Sequence, residues 1–313
     1  MPYSYLTMLD LAKVNGSDQT VGLIEENLNA APEAAILPAR QVSGTSFKSL
    51  VRTAYPSGAF RSANEGVEPV KSTYLNRTHE TFYYDLQLEM DAAIASADEN
   101  GPEHALAMEA DGAARGYMLD IGPQVWYGRG TNGDAKGFPG AKEVVDSSLV
   151  LDATGSTADT GSSVWAICAM PKFFELIFGK NTVLEVGEWR KQTITRSSKE
   201  LTAWKNSLEG WVGAAFYSKY AVGQISNLTA QTGKTLTDSL LSQLIQKFPI
   251  GVKPTHFFMN RRSRQQLQAS RTVTLFGQGT TRPNQELLAP IPDSYDGIPI
   301  ICTDSILSTE AIV

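Results

Sequence analysis

The chain is poor in the residues on which most small-site chemistry depends. It holds 2 cysteines and 3 histidines in 313 residues. There is no C-x-x-C, and His79, His104 and His256 lie far apart. A zinc centre needs three or four such ligands at close spacing, so no metal site is expected. Cys168 and Cys302 fall in apolar, strand-like runs, VWAICAM and IPIICTD, and read as buried free thiols. No apolar run approaches the roughly 18 residues of a membrane helix. The first residues, MPYSYLTMLDLAKVNG, lack the basic-then-apolar order of a secretory signal. A soluble protein made in a cytoplasm, with no membrane partner, is the expectation. The sequons Asn76-Arg77-Thr78 and Asn227-Leu228-Thr229 then carry no meaning. Charge is also scarce: 19% of residues are charged, and 27 basic against 33 acidic side chains give a net charge of −6. The densest basic group is Arg261, Arg262 and Arg264. Electrostatic binding of duplex phosphates needs many cations on one face, so nucleic-acid affinity is not the theme.

What is present is a 42% hydrophobic chain long enough to bury a large core in one domain or two interleaved ones. Residues 3–37 read as short amphipathic helices, with Ser17 or Asp18 placed to cap one running to about Asn29. Residues 42–81 are polar and rich in Ser, Thr, Gly and Arg, as in a hairpin with a long tip. The run FYYDLQLEMD (82–91) alternates apolar and polar residues, the period of a strand with one wet face. Leu106, Ala110, Ala113, Tyr117 and Ile121 recur at helical spacing, which predicts a helix over 103 to about 121; Gly112 and Gly116 on it would admit a closely packed neighbour. Short strands are predicted over 144–170, a helix over 199–222 from Leu201, Trp204, Leu208, Trp211 and Ala215, and another over 236–248. Asn260 is placed to cap a further helix, and 297–306 reads as a strand interrupted by proline.

Several motifs imitate active sites. Gly128, Gly130 and Gly133 spell G-x-G-x-x-G. A dinucleotide fold needs that pattern directly after a strand and opening a helix; here a predicted helix precedes it and Pro139 follows. The alternative is a connecting loop whose glycines supply positive φ. Gly233-Lys234-Thr235 resembles the end of a P-loop, but Leu228 stands where its first glycine is required. Asp159-Thr160-Gly161 is the signature of an aspartic protease, whose chemistry needs two aspartates sharing one proton. No second copy follows, so a hydrolase built on Asp159 is kept only as an alternative. There is no G-x-S-x-G, and Trp189, Trp204 and Trp211 read as core or interface anchors. No catalytic set and no cofactor site are expected.

Six stretches, in this order, resemble the major capsid proteins of tailed bacteriophages, the Hong-Kong-97-type family. They are the arm MLDLAKVNGSDQTVGLIEENLNAAPEAAILPARQVSGTSFKSLVRT, the loop WYGRGTNGDAKGFPGA, then SSVWAICAM, LEGWVGAAFYSKYAVGQISNL, PTHFFMNRRSRQQLQ and YDGIPIICTDSI. The resemblance covers nearly the whole chain. It implies an α+β fold with an N-terminal arm (1–41), an extended hairpin loop (42–81), a peripheral domain with a long spine helix (82–127), an axial domain (128–290) and a C-terminal strand region (291–313). It implies a structural subunit that assembles with itself into hexamers and pentamers of an icosahedral head around double-stranded DNA, with portal, separate scaffolding and decoration proteins as partners. No charged coiled coil precedes the arm, hence the separate scaffold. A cellular nanocompartment shell is the alternative with the same fold. The chain departs from relatives where Pro171-Lys172-Phe173-Phe174 follows the strand at 163–170. Lys48 and Lys71 lie in the hairpin region but match no cross-linking position.

Overall fold

A computed structural model of the chain describes Met8 and residues 29–180, 185–196, 198–275, 285–287 and 289–312. The expected helix at Ser17 or Asp18 lies outside the described residues. The elements are α1 (Glu33–Ile36), β1 (Ala39–Gln41), β2 (Ser46–Ala54), β3 (Thr73–Glu80), β4 (Phe82–Asp91), α2 (Ala92–Ala95), α3 (Pro102–Tyr127), α4 (Ala141–Val144), β5 (Val150–Asp152), β6 (Ser162–Ile167), β7 (Phe174–Phe178), β8 (Glu185–Val186), β9 (Arg190–Arg196), β10 (Lys199–Phe216), β11 (Val222–Leu228), α5 (Asp238–Gln246), β12 (His256–Met259), α6 (Arg261–Arg271), β13 (Val273–Leu275), β14 (Gln285–Leu287), β15 (Ser294–Tyr295) and β16 (Ile298–Cys302).

Two mixed sheets organise the body. One runs β1-β7-β10-β4, with β8 and β9 also paired to β10; the other runs β15-β16-β12-β6-β11-β5. The main core lies between them, where the end of α3 brings Trp126 against Trp165 (ring centroids 5.8 Å apart) and Phe258 (4.9 Å). A second core fills the other face of the second sheet, under α5 and α6. Both helices start as their sequences dictate. Thr237 and Asn260 each accept a backbone amide of the first turn, the latter from Ser263 at 2.8 Å.

The alternating run is a strand over Phe82–Asp91, as its period requires. Its apolar residues face α3: Tyr84 packs edge-on against Tyr117 at 5.0 Å and donates to Asp120 at 2.8 Å. Helix α3 begins with Pro at its first position and continues past the expected end at 121 to Tyr127, through Pro123. Proline disfavours a helical residue before it through a clash with that residue's Cβ, and Gly122 has none. A Cβ there would lie 2.1 Å from Ser305 Oγ, so Gly122 is the position of close packing. Gly112 and Gly116, expected to serve that purpose, face open space in the subunit.

The helix predicted over 199–222 is absent. Lys199–Phe216 is one strand of 18 residues. Trp204, Leu208 and Val212 are spaced by four, which places them on one face of a helix and also on one face of a strand. Leu201, Trp211 and Ala215 belong to the opposite strand face. Ten continuous antiparallel pairs with β4, from Ala203↔Asp91 to Val212↔Phe82, decide between the two periods. Gly210 and Gly213 oppose helix. At Gly213 a Cβ would lie 2.5 Å from the Glu80 carbonyl.

Candidate assembly interface

Residues 42–81 form a hairpin. β2 and β3 pair antiparallel from Ser46↔Glu80 to Arg52↔Tyr74, with an irregularity before Ala54↔Thr73. A nine-residue strand spans roughly 30 Å, so the tip stands well away from the body. Residues 52–71 are exposed without a break. They include Tyr55, Val67, Val70 and Phe60, the last fully exposed at 109%. A two-stranded ribbon alone in water is at best marginally stable, and this one carries apolar side chains with no cover from the described residues.

The base of the ribbon is held by an aromatic and cationic cluster. His79 packs edge-on to Tyr217 at 4.8 Å and against Phe47 at 5.2 Å. The Arg40 guanidinium lies 4.8 Å over Phe47, donates to Tyr217 Oη at 2.9 Å and pairs with Glu175 at 3.4 Å. Tyr217 Oη in turn donates to Glu175 at 2.8 Å. Burial, with the nearby Arg77 and Arg40 charges, pushes His79 down to about 4. The ring is therefore neutral at pH 7, sharing a hydrogen bond of 2.9 Å between Nε2 and Ser49 Oγ. Burial and the Glu175 bond push the Tyr217 hydroxyl up.

The last turn of α3 joins the two ends of the described chain. Trp126 Nε1 donates to Glu33 Oε1 at 2.7 Å, and so does Thr303 Oγ1 at 2.5 Å; Ser305 Oγ donates to Glu33 Oε2 at 3.3 Å. Glu33 is fully buried, and burial pushes its carboxyl above the usual range. Next along the helix, Tyr127 Oη donates to Glu310 Oε1 at 2.9 Å and accepts the Leu307 amide at 2.8 Å. Ser163 Oγ donates to Glu310 Oε2 at 2.7 Å. Ala30 and Asp304 exchange two further bonds, at 2.8 and 2.9 Å. The segments at Ala30–Glu33 and Thr303–Glu310 are thus fastened to one helix end. Sequence reasoning found none of Glu33, Arg40, Tyr217 or Glu310, because each acquires its partners from distant parts of the chain.

The motif-bearing loops resolve into structural roles. In the glycine loop only Gly128 has positive φ, at 59°. The others are there for close approach: a Cβ on Gly133 would meet the Gly128 carbonyl at 2.0 Å, and one on Gly140 would meet the Gly128 amide at 2.3 Å. The loop closes on Gln124, which accepts the Asp134 amide at 2.7 Å and donates to the Phe138 carbonyl at 2.7 Å. Gly233-Lys234 is a turn after β11 in which the Lys234 amide bonds the Gln231 carbonyl at 3.0 Å. Asp159 is exposed on a turn at φ 52°. Gly161 of the same motif exchanges backbone bonds of 3.0 and 2.9 Å with Glu310. Cys168 is buried, and burial pushes its thiol up to about 12; Cys302, expected to be buried, is only half-buried beside Arg264. Among the described residues no group of three or more His, Cys, Asp or Glu is arranged to hold a metal, and no helix is long and apolar enough to cross a membrane.

A two-sheet body, a long helix whose last turn holds segments near residues 30 and 310, and a projecting ribbon left exposed by the described residues make up a fold of the Hong-Kong-97 type. The sequence model of the family major capsid protein GP7 matches residues 22–313, and the chain belongs to that family. It is a major capsid protein of a tailed phage. Comparison with curated proteins finds no match. Among solved structures, a chain from the cryo-EM structure of bacteriophage Epsilon15 superposes with a TM-score of 0.74 at 15% identity, covering 100% of this chain and 98% of that one. The capsid of Myoviridae phage XM1 gives 0.47 at 10% identity over 66% and 95%. The SrpI encapsulin of Synechococcus elongatus PCC 7942 gives 0.45 at 8% identity over 73% and 98%.

Proposed function

We propose that this chain assembles with itself into hexamers and pentamers of an icosahedral head that encloses double-stranded DNA, and that it has no enzymatic role. The observation that carries this is the unbroken exposure of residues 52–71 on a chain of the capsid family. Ordering a residue costs about 1–2 kcal/mol of backbone entropy, and this segment recovers little of it within its own molecule. Identical neighbours supply the missing burial, on the scale of obligate interfaces of roughly 2,000–5,000 Å². The net charge of −6 suits a container wall, because a wall with little affinity for phosphate leaves packaged DNA free to move. A separate scaffolding protein, a portal and a decoration protein complete the head, which is built in the host cytoplasm.

We further infer a division of labour that follows the arm (1–41), the hairpin (42–81), a peripheral part with the spine helix (82–127), an axial part (128–290) and a C-terminal strand region (291–313). The peripheral part shares its sheet with β7–β10, so the two parts are interleaved rather than strung in sequence. Sedimentation and negative-stain microscopy of the expressed protein test the function. Closed shells or capsomers are expected; a species that stays monomeric at every salt concentration and with co-expressed scaffold overturns it.

A further inference from the structure

All the described helices and strands end by Cys302, so the two-sheet body is complete without residues 303–310. Those residues lie on the body as a strap. Their one strand-like contact is the bridge Gly161↔Glu310. Arg262 donates to the Ser308 carbonyl at 2.9 Å and Asn260 to the Leu307 carbonyl at 3.3 Å. Ile306 is buried in the main core, beside which Leu307 packs.

The strap covers residues 30–37, which have little to hold them by themselves. Their helix, α1, is a single turn of four residues, in which the Ala35, Ile36 and Leu37 amides bond back to Pro32 and Glu33. A turn that short does not persist alone in water. Two of the three side chains that donate to Glu33 from outside the segment, Thr303 and Ser305, belong to the strap. Without them a carboxylate with no exposed surface would keep only the Trp126 indole, a costly way to bury a charge. Ala30 is bonded in both directions by Asp304. The segment leads straight into β1, whose Arg40 holds the base of the ribbon.

We propose that residues 303–310 are a latch that closes after the body has formed, locks residues 30–37 against the end of α3, and so fixes the approach to β1 and the ribbon base. Thr303 and Glu33 are 270 residues apart, and contacts of such separation carry a high closure entropy and form late. The latch itself is a property of the single subunit. Its consequence rests on the assembly reading above: a subunit whose latch is open presents its ribbon from an unfixed base and assembles poorly.

Pulse-labelling hydrogen exchange during refolding of the unmodified subunit tests the order of events. The amides of Ala35, Ile36 and Leu37 are expected to gain protection in one phase with those of Asp304 and Glu310, after the amides of β6 and β12. Protection of 35–37 ahead of 304 and 310, or of all of them together with β6 and β12, overturns the proposal. The full chain carrying Thr303→Val and Ser305→Ala supplies the second measurement. In the folded subunit, exchange at 35–37 is expected to rise at least tenfold while β6 and β12 exchange as in wild type. Unchanged exchange at 35–37, or an equal rise in β6 and β12, overturns the latch. Shell yield of this variant is expected to fall at least tenfold. A yield equal to wild type overturns the consequence for assembly. Wild-type subunits that form no shells overturn the assembly reading instead, and the exchange data then decide the latch alone.

Discussion

At the scale of single residues, two buried titratable groups respond to pH in opposite directions. His79 has its folded pKa pushed down to about 4. The unfolded chain therefore takes up this proton first, and the stability that neutral His79 lends is complete above about pH 6.5 and is lost as pH falls from there toward 4. An NMR titration of the assigned imidazole should inflect near 4, with amide protection at the ribbon base falling in the same window. An inflection near 6.5 contradicts the placement of this ring. Glu33 is raised by burial, so its folded form holds the proton more tightly; its contribution is complete at low pH and is lost as pH rises through the folded value. Glu33→Ala strands the Trp126 indole N–H and the Thr303 and Ser305 hydroxyls, and should cost about 2–4 kcal/mol in urea unfolding. Glu33→Gln, which keeps an acceptor, should cost less. Wild-type unfolding of Glu33→Ala contradicts the account. None of this was legible in the sequence. Glu33 meets its partners across separations of 93 and 270 residues, and a single glutamate after a proline looks like any surface residue.

At the scale of elements, legibility followed how far a local pattern settles its own structure. The β4 alternation sufficed because only a strand puts five successive odd-even pairs on opposite faces. Helix α5 was readable from the apolar spacing over 236–248, and α6 from Asn260, because capping is satisfied within one turn. β10 was misread because the apolar residues on its two faces together step by three and four, the spacing of a helix; the deciding contacts come from β4, more than a hundred residues away. The glycines were the overlooked signal. Gly213→Val should cost about 1–3 kcal/mol through overpacking against the Glu80 carbonyl and Ile177, read as a shift in the urea midpoint; an unchanged midpoint contradicts the close approach. The hairpin is the reverse case, since its tip bears no load in the subunit. Replacing residues 55–72 with Asn-Gly, which closes a two-residue turn, should leave the thermal melt of the unassembled subunit within about 1 kcal/mol of wild type while abolishing shells in sedimentation. A large loss of subunit stability contradicts the idea that the tip is uncovered at home.

At the scale of the whole molecule, the motifs that imitate enzymes all have mechanical explanations. The dinucleotide-like glycines let a loop close on Gln124. The protease-like Asp159-Thr160-Gly161 lets the C-terminal tail approach at Gly161. What is left over, after the two cores and the clasp at the end of α3, is the exposed ribbon tip at 52–71. The family and the fold could be recognised from six ordered stretches; the clasp at the end of α3 could not, because its partners come from distant parts of the chain. The central claim is that residues 52–71 find their cover on identical copies. Hydrogen–deuterium exchange compared between unassembled subunits and intact particles tests it most directly. Strong protection of 52–71 that appears only in the particle is the predicted result, and equally fast exchange of this segment in both states would contradict it.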